Sequence, residues 1–313
     1  MAEWKDCMKN LKGVLLDICG VLYDSGEGGG VPIPGSIEAV KRIKASGLKL
    51  RFCTNETQAT RDKFVAKLQR MGFDISVNEV FSPAPAACKI LKDRGLRPHL
   101  LVYDEVVPEF AGVDKSNPNC VVVGDAADNF SYKNVNEAFR VLIGLEKPVL
   151  ISLGRGRYYK ETDGLKLDVG VYMKALEYAC DIEAEVVGKP AKMFFQSALA
   201  DMGVEPQQAI MIGDDLVNDV GGAQQCGMKA LQVRTGKYRS VGAKVTPTSE
   251  SPAKFGLFTQ PGRKLAPSKL SADDGLLTLS QSRLRSMGKR AFSCYALKLW
   301  NALPQKIKRF AYC

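Results

Sequence analysis

Histidine is almost missing from this sequence: His99 stands alone among 313 residues. Zinc sites built on several imidazoles are therefore excluded, and a Ser-His-Asp triad would have to rest on that single ring. His99 borders a strand-like run, where a structural role suffices. Catalytic chemistry falls to carboxylates, lysine, Ser/Thr and a metal ion. Cysteine pairs are missing too. The nine cysteines (Cys7, Cys19, Cys53, Cys88, Cys120, Cys180, Cys226, Cys294, Cys313) form no CxxC, and most sit in apolar runs. That usage reads as reduced thiols in a cytosolic protein; the cytoplasm is the expected compartment, with the nucleus a second candidate. The opening MAEWKDCMKNLKG lacks a signal-peptide apolar stretch, and no run approaches the roughly 18 apolar residues of a membrane span. A membrane is not expected as a partner.

The net charge of +10 is unevenly spread. From Lys237 onward there are 15 Lys+Arg against 3 Asp+Glu, whereas the preceding 236 residues hold 29 against 31. The body is near neutral and only the tail is basic, so nucleic acid is not an expected partner of the body.

Short apolar, β-rich runs alternate with amphipathic stretches. Strands are predicted over 14–18, 48–54, 99–103, 120–123, 149–153, 184–187, 209–212 and 230–233. Helices are predicted over 37–45, 61–71, 86–94, 135–144, 171–180, 193–202 and 220–226. Such alternation implies parallel sheets with right-handed crossovers. The strands are too many for one small sheet, and the length suits two domains.

Four buried runs end in polar residues. VLLDICGVLYD presents Asp17, LRFCTNE presents Thr54 and Asn55, AEVVGKP presents Lys189, and AIMIGDDLVND presents Asp214, Asp215 and Asp219. Each alone is ordinary: a strand-ending aspartate commonly caps a helix, and Gly-Lys-Pro commonly makes a loop. Ligand sites of open α/β sheets lie beyond the carboxyl ends of the strands, so these four tips should converge. The chemistry they offer is phosphoryl transfer. Asp17 can attack phosphorus, Mg²⁺ held by Asp17 and Asp214 can neutralise charge, and Lys189 adds a second cation. Thr54 and the amide of Asn55 can donate to a phosphoryl oxygen.

In this order the four segments resemble the haloacid dehalogenase-like phosphatase superfamily. The resemblance implies a Rossmann-like α/β core (1–55 and 188–239), an inserted α/β cap (56–187) and a basic tail (240–313). The 134 residues between Thr54 and Lys189 are similar to the large cap of the subgroup with pyridoxal phosphate and phosphoglycolate phosphatases. The stretches GVLLDICGVLYDSGEGGG, EKPVLISLGRGRYYKET, DVGGAQQCGM and LQVRTGKYR are similar to one branch of that superfamily. That branch implies an Mg²⁺-dependent enzyme cleaving P–N and P–O–P bonds through an aspartyl phosphate. Its substrates would be phospholysine, phosphohistidine, imidodiphosphate and inorganic pyrophosphate, free or on a phospho-amino-acid side chain. By resemblance Asp17 is nucleophile and metal ligand, residue 19 lends a carbonyl, and Asp214 completes the metal's protein ligands. Thr54, Asn55 and Lys189 hold the phosphoryl group, Asp219 orients the metal shell, and the role of Asp215 is open. The family also implies a homodimer formed through the cap.

Cys19 departs from the pattern, because most of the superfamily has a second aspartate there as general acid. A thiol is a far poorer proton donor. Imidazole, an amine and inorganic phosphate need little help to leave, whereas a sugar alkoxide needs much. A phosphatase of small C–O–P esters such as phosphoglycolate and an inactive, partner-binding isoform stay open as rivals. The run 24–30 is glycine-rich, but no GK[ST] follows, so a flap at the site mouth is expected rather than a nucleotide loop. Residues 283–308 resemble the end of LINE-type retrotransposon reverse transcriptases, without any YxDD motif. Residues 240–282 read as loop or disorder, and a short amphipathic helix over 292–303 is the one candidate to cover the sheet edge.

Overall fold

The computed structural model describes residues 10–238. The predicted tail, its mobile-element resemblance and the 292–303 helix lie outside the described residues.

Two parallel sheets carry the fold. The first joins β1 (Gly13–Leu16), β4 (Lys49–Cys53), β5 (Val80–Phe81), β12 (Ala209–Gly213) and β13 (Lys229–Gln232) in the order β13-β12-β1-β4-β5. The second runs β11-β8-β7-β6, from β6 (Pro98–Leu101), β7 (Cys120–Val123), β8 (Leu150–Ser152) and β11 (Glu185–Val186). Continuous apolar runs such as GVLL and CVVV suit strands covered on both faces, and every residue in both is buried. Two short antiparallel pairs complete the strands: β2 (Tyr23–Asp24) with β3 (Val31–Pro32), and β9 (Tyr158–Glu161) with β10 (Gly164–Leu167).

Helices flank each sheet. In Arg61–Arg70, the Thr60 hydroxyl accepts from the Lys63 amide at the first turn, and Phe64, Val65 and Leu68 face the core. They join Val14, Leu16, Val40, Ile43 and Phe52 on one side of the first sheet, while Phe195, Leu199, Met202 and Met211 pack on the other. Lys192–Met202 stops at Gly203, whose φ of 58° gives the left-handed turn that glycine tolerates. In the second unit Ser131 and Asp168 cap Tyr132–Ile143 and Val169–Cys180. No helix among the described residues is long and apolar enough to cross a membrane.

The boundary read at residue 55 is too early. Helix Arg61–Arg70 packs into the first core, and β5 pairs with β4 through Phe52↔Val80 and Cys53↔Phe81. The chain enters the second unit only with helix Pro83–Asp93, whose Ala84, Ala87 and Leu91 join the other core. A two-residue strand is too short to print an alternating or continuous apolar signature, so β5 leaves no trace in the periodicity. The hairpin β9–β10 was likewise missed, being half exposed. Val187, just before the chain returns, still packs in the second core.

The 24–30 run is more structured than a bare flap. It forms the turn between β2 and β3, and its Ser25 pairs with Glu161 of the hairpin. Thr162 N donates to Ser25 O at 2.9 Å, and a side chain at Gly26 would meet Thr162 Oγ1 at 2.1 Å. This turn therefore docks the cap hairpin onto the core.

Candidate active site

Register explains why distant residues meet. Leu16 of β1 lies opposite Ile212 on one side and Phe52 on the other. One or two residues further along each strand come Asp17, Asp214 and Thr54, and the Asp17 amide donates to Ile212 O at 2.9 Å. The expected convergence of strand tips is thus realised for β1, β4 and β12, and Lys189 arrives on the segment returning from the second sheet.

Lys189 is the hub. Its ammonium donates to Asp17 Oδ1 and to Asp219 Oδ1, each at 2.7 Å, with only 3% of the side chain exposed. Burial works against its charge, yet the two carboxylates outweigh burial and hold the ammonium above the ordinary lysine value. Asn55 locks the backbone beneath it: Asn55 Nδ2 donates to Lys189 O at 2.9 Å, and Lys189 N donates to Asn55 Oδ1 at 2.8 Å. A Cβ at Gly188 would sit 2.3 Å from Leu153 O, so the approach requires glycine. The Asn55 side chain is thereby committed to positioning Lys189; what Asn55 retains for a phosphoryl oxygen is its backbone N–H. Thr54 Oγ1 accepts from Glu56 N at 3.0 Å, which leaves its hydroxyl proton to donate.

The carboxylates are crowded. Asp17, Asp214 and Asp219 bring ligand oxygens within 4.8 Å of one another, all buried. Burial raises the pKa of all three. The Asp219 oxygens are engaged, Oδ1 by Lys189 and Oδ2 by the Asp215 amide at 3.0 Å. Asp214 Oδ2 accepts from Lys237 N at 2.7 Å, whereas Asp214 Oδ1 is buried with no hydrogen-bond partner. Both hydrogen bonds to Asp17 use Oδ1, from Ile18 N and Lys189. The unpaired oxygen of Asp214 beside Asp17 is what a hard, oxygen-seeking cation needs. The donor set fits a divalent ion, which Asp17 and Asp214 would hold, while Asp219 is already tied to Lys189 and the Asp215 amide.

Asp215 stands apart from that cluster. Its Oδ1 accepts from Val217 N and Asn218 N, both at 2.9 Å, at the head of the π-helical turn Leu216–Gly221. Burial alone would raise its pKa; Lys237 and those amides pull it below the ordinary value. The helix expected over 220–226 is in fact this turn followed by Gly222–Gln225.

Cys19 Sγ donates to Tyr23 Oη at 3.5 Å, a long sulfur contact. Burial, then Glu56, push the thiol far above its ordinary value. It is a neutral group and a still weaker acid than an exposed cysteine. Lys237, Gly236 and Glu56 escaped the sequence reading. The first two lie in RTGKY directly after β13, a fifth strand tip with polar residues, and that was the available signal.

These features, a parallel core with reactive strand tips and an insertion between them, are those of the haloacid dehalogenase-like hydrolases, and the chain belongs to that family. The family model for haloacid dehalogenase-like hydrolases matches residues 14–125, and a second model of such hydrolases matches 186–253. The chain is 75% identical over 232 residues to the phospholysine phosphohistidine inorganic pyrophosphate phosphatase of Danio rerio, covering 74% of this chain and 86% of that protein. It is 67% identical over 239 residues to the protein of the same name from Homo sapiens, covering 76% and 88%. Among solved structures, the 4-nitrophenylphosphatase of Thermotoga maritima shares the fold at a TM-score of 0.66 and 23% identity, over 74% of this chain and 89% of that one.

Proposed function

We propose that this chain is a magnesium-dependent phosphohydrolase that works through an aspartyl phosphate on Asp17 and favours P–N and P–O–P bonds. The observation that carries the reading is the buried group of Asp17, Asp214 and Asp219 bridged by Lys189, with one oxygen of Asp214 unpaired. The relatives' names support the substrate class. Magnesium, when bound, would screen the phosphoryl charge from the carboxylates.

The chain's own residues supply the remaining steps. Thr54 and the Asn55 backbone N–H orient the phosphoryl oxygens, and Lys189 offsets their charge while fixing the Asp17 carboxylate. Asp17 attacks phosphorus through the oxygen not tied to Lys189. The bond to the leaving group breaks, its electron pair departs with that group, and water supplies the proton. A second water then cleaves the acyl phosphate, regenerating Asp17 and releasing inorganic phosphate. The neutral, buried Cys19 offers no acid for an alkoxide leaving group, which supports P–N and P–O–P substrates over sugar phosphates.

Phosphate release from imidodiphosphate and from phosphoglycolate, with and without Mg²⁺, tests the reading beside Asp17→Asn. Wild type should turn over imidodiphosphate faster and only with Mg²⁺, and Asp17→Asn should release no phosphate. Equal turnover of both substrates refutes the bond preference; activity in Asp17→Asn refutes the nucleophile.

A further inference from the structure

The turn after β13 closes over the site. Lys237 N donates to Asp214 Oδ2 at 2.7 Å, and Lys237 Nζ donates to Asp215 Oδ2 at 3.2 Å with 20% of the side chain exposed. The backbone reaches this position because two glycines clasp Asp214. Gly236 has φ +57°, and a Cβ there would stand 2.0 Å from Asp214 Oδ2 and 2.7 Å from Gly20 Cα. Gly20 has φ +79°, and a Cβ there would stand 2.2 Å from the same oxygen. The clasp assigns the two Asp214 oxygens different tasks: Oδ2 is held by the Lys237 amide, and Oδ1 is left for a cation.

The ammonium does something separate from the amide. It is ion-paired with Asp215 at 3.2 Å and feels the nearby carboxylates of Asp214 and Asp168. Asp168 belongs to the other unit, where it caps helix Val169–Cys180. Five carboxylates, Asp17, Asp168, Asp214, Asp215 and Asp219, thus crowd around two lysines, Lys189 and Lys237. A divalent ion still leaves that group negative, and a phosphoryl dianion must enter it. Two of the three N–H donors of the Lys189 ammonium already go to Asp17 and Asp219.

We infer that Lys237 is the second fixed cation of this site, a positioning residue whose ammonium makes room electrostatically for the anionic phosphoryl group rather than for the metal. The inference rests on the phosphohydrolase reading above. It has a two-signed consequence. A positive charge beside metal ligands repels a divalent ion and attracts an anion, so removing it should weaken anion binding without weakening that of the metal. A residue that merely held the fold together would weaken both.

The test uses the full chain with Lys237→Met, which keeps the backbone N–H and most of the stem, and Lys237→Arg, which restores the charge. Mg²⁺ binding is measured by calorimetry without substrate, inorganic phosphate binding at saturating Mg²⁺, and unfolding by circular dichroism. Lys237→Met should bind Mg²⁺ as well as wild type or more tightly. Its phosphate affinity should fall about tenfold or more, with KM for imidodiphosphate rising more than kcat falls. Lys237→Arg should recover most of the phosphate affinity. Weakening of Mg²⁺ and phosphate together, or unchanged phosphate binding in a folded Lys237→Met, overturns the inference. Because binding is the readout, a wild type that binds phosphate yet hydrolyses neither test substrate would overturn the activity reading and leave this inference to be decided by the variants.

Discussion

Replacing Lys189 by Met removes the one cation lodged between two buried carboxylates while keeping an apolar stem of similar length. Its ammonium is 2.7 Å from both Asp17 Oδ1 and Asp219 Oδ1, in a site where Lys189 is 3% and Asp219 0% exposed. Breaking a buried ion pair by deleting one partner leaves an uncompensated charge and costs about 3–5 kcal/mol. For a folded unit of this size that corresponds to a lowering of Tm by about 6–20 °C. The pH dependence has a definite sign. Without Lys189, Asp17 and Asp219 lose the attraction that opposes burial, so their folded pKa values rise further above the unfolded value of about 4. A raised carboxyl pKa disfavours the fold once the unfolded chain ionises. Relative to wild type the deficit is therefore absent at low pH, opens only as pH rises past the wild-type folded values, which burial already holds above the unfolded one, and is complete above the variant's higher folded values. Urea unfolding of Lys189→Met and wild type in EDTA, at pH 5 and pH 8, reads this directly. A larger deficit at pH 8 is expected. A deficit below about 1 kcal/mol, or one equal at both pH values, refutes the claim that Lys189 pulls the pKa values of these carboxylates down against burial.

Two further outcomes follow from the geometry. Gly20→Ala would place a Cβ 2.2 Å from Asp214 Oδ2 and force a left-handed backbone on alanine, costing about 1–3 kcal/mol in urea unfolding and about tenfold or more in calorimetric Mg²⁺ affinity; wild-type Mg²⁺ binding would rule out the clasp. Cys19→Asp installs a carboxyl in a buried pocket beside Glu56 and Asp17, where it would be protonated and able to donate. Phosphoglycolate hydrolysis should then rise by about 10²-fold while imidodiphosphate changes little; parallel changes on both substrates would show that proton donation does not set the preference.

The amino-acid sequence by itself determined the alternation of strands and helices, the four polar strand tips and their order. It did so because burial on both faces writes long apolar runs, and the residue that breaks each run is conspicuous. It also marked Cys19 as the missing acid, a matter of chemical type alone. Which oxygen faces which partner was beyond its reach. Asn55 is spent on the Lys189 backbone, one oxygen of Asp214 is paired and the other open, and the Lys237 amide reaches back to Asp214 at the tip of β12. The strand Val80–Phe81 and the contact of Ser25 with the β9–β10 hairpin were equally hidden. Each depends on chain segments tens to hundreds of residues apart meeting within about 3 Å, and local periodicity carries no information about that. Only the packed sheets, by setting register, decided it.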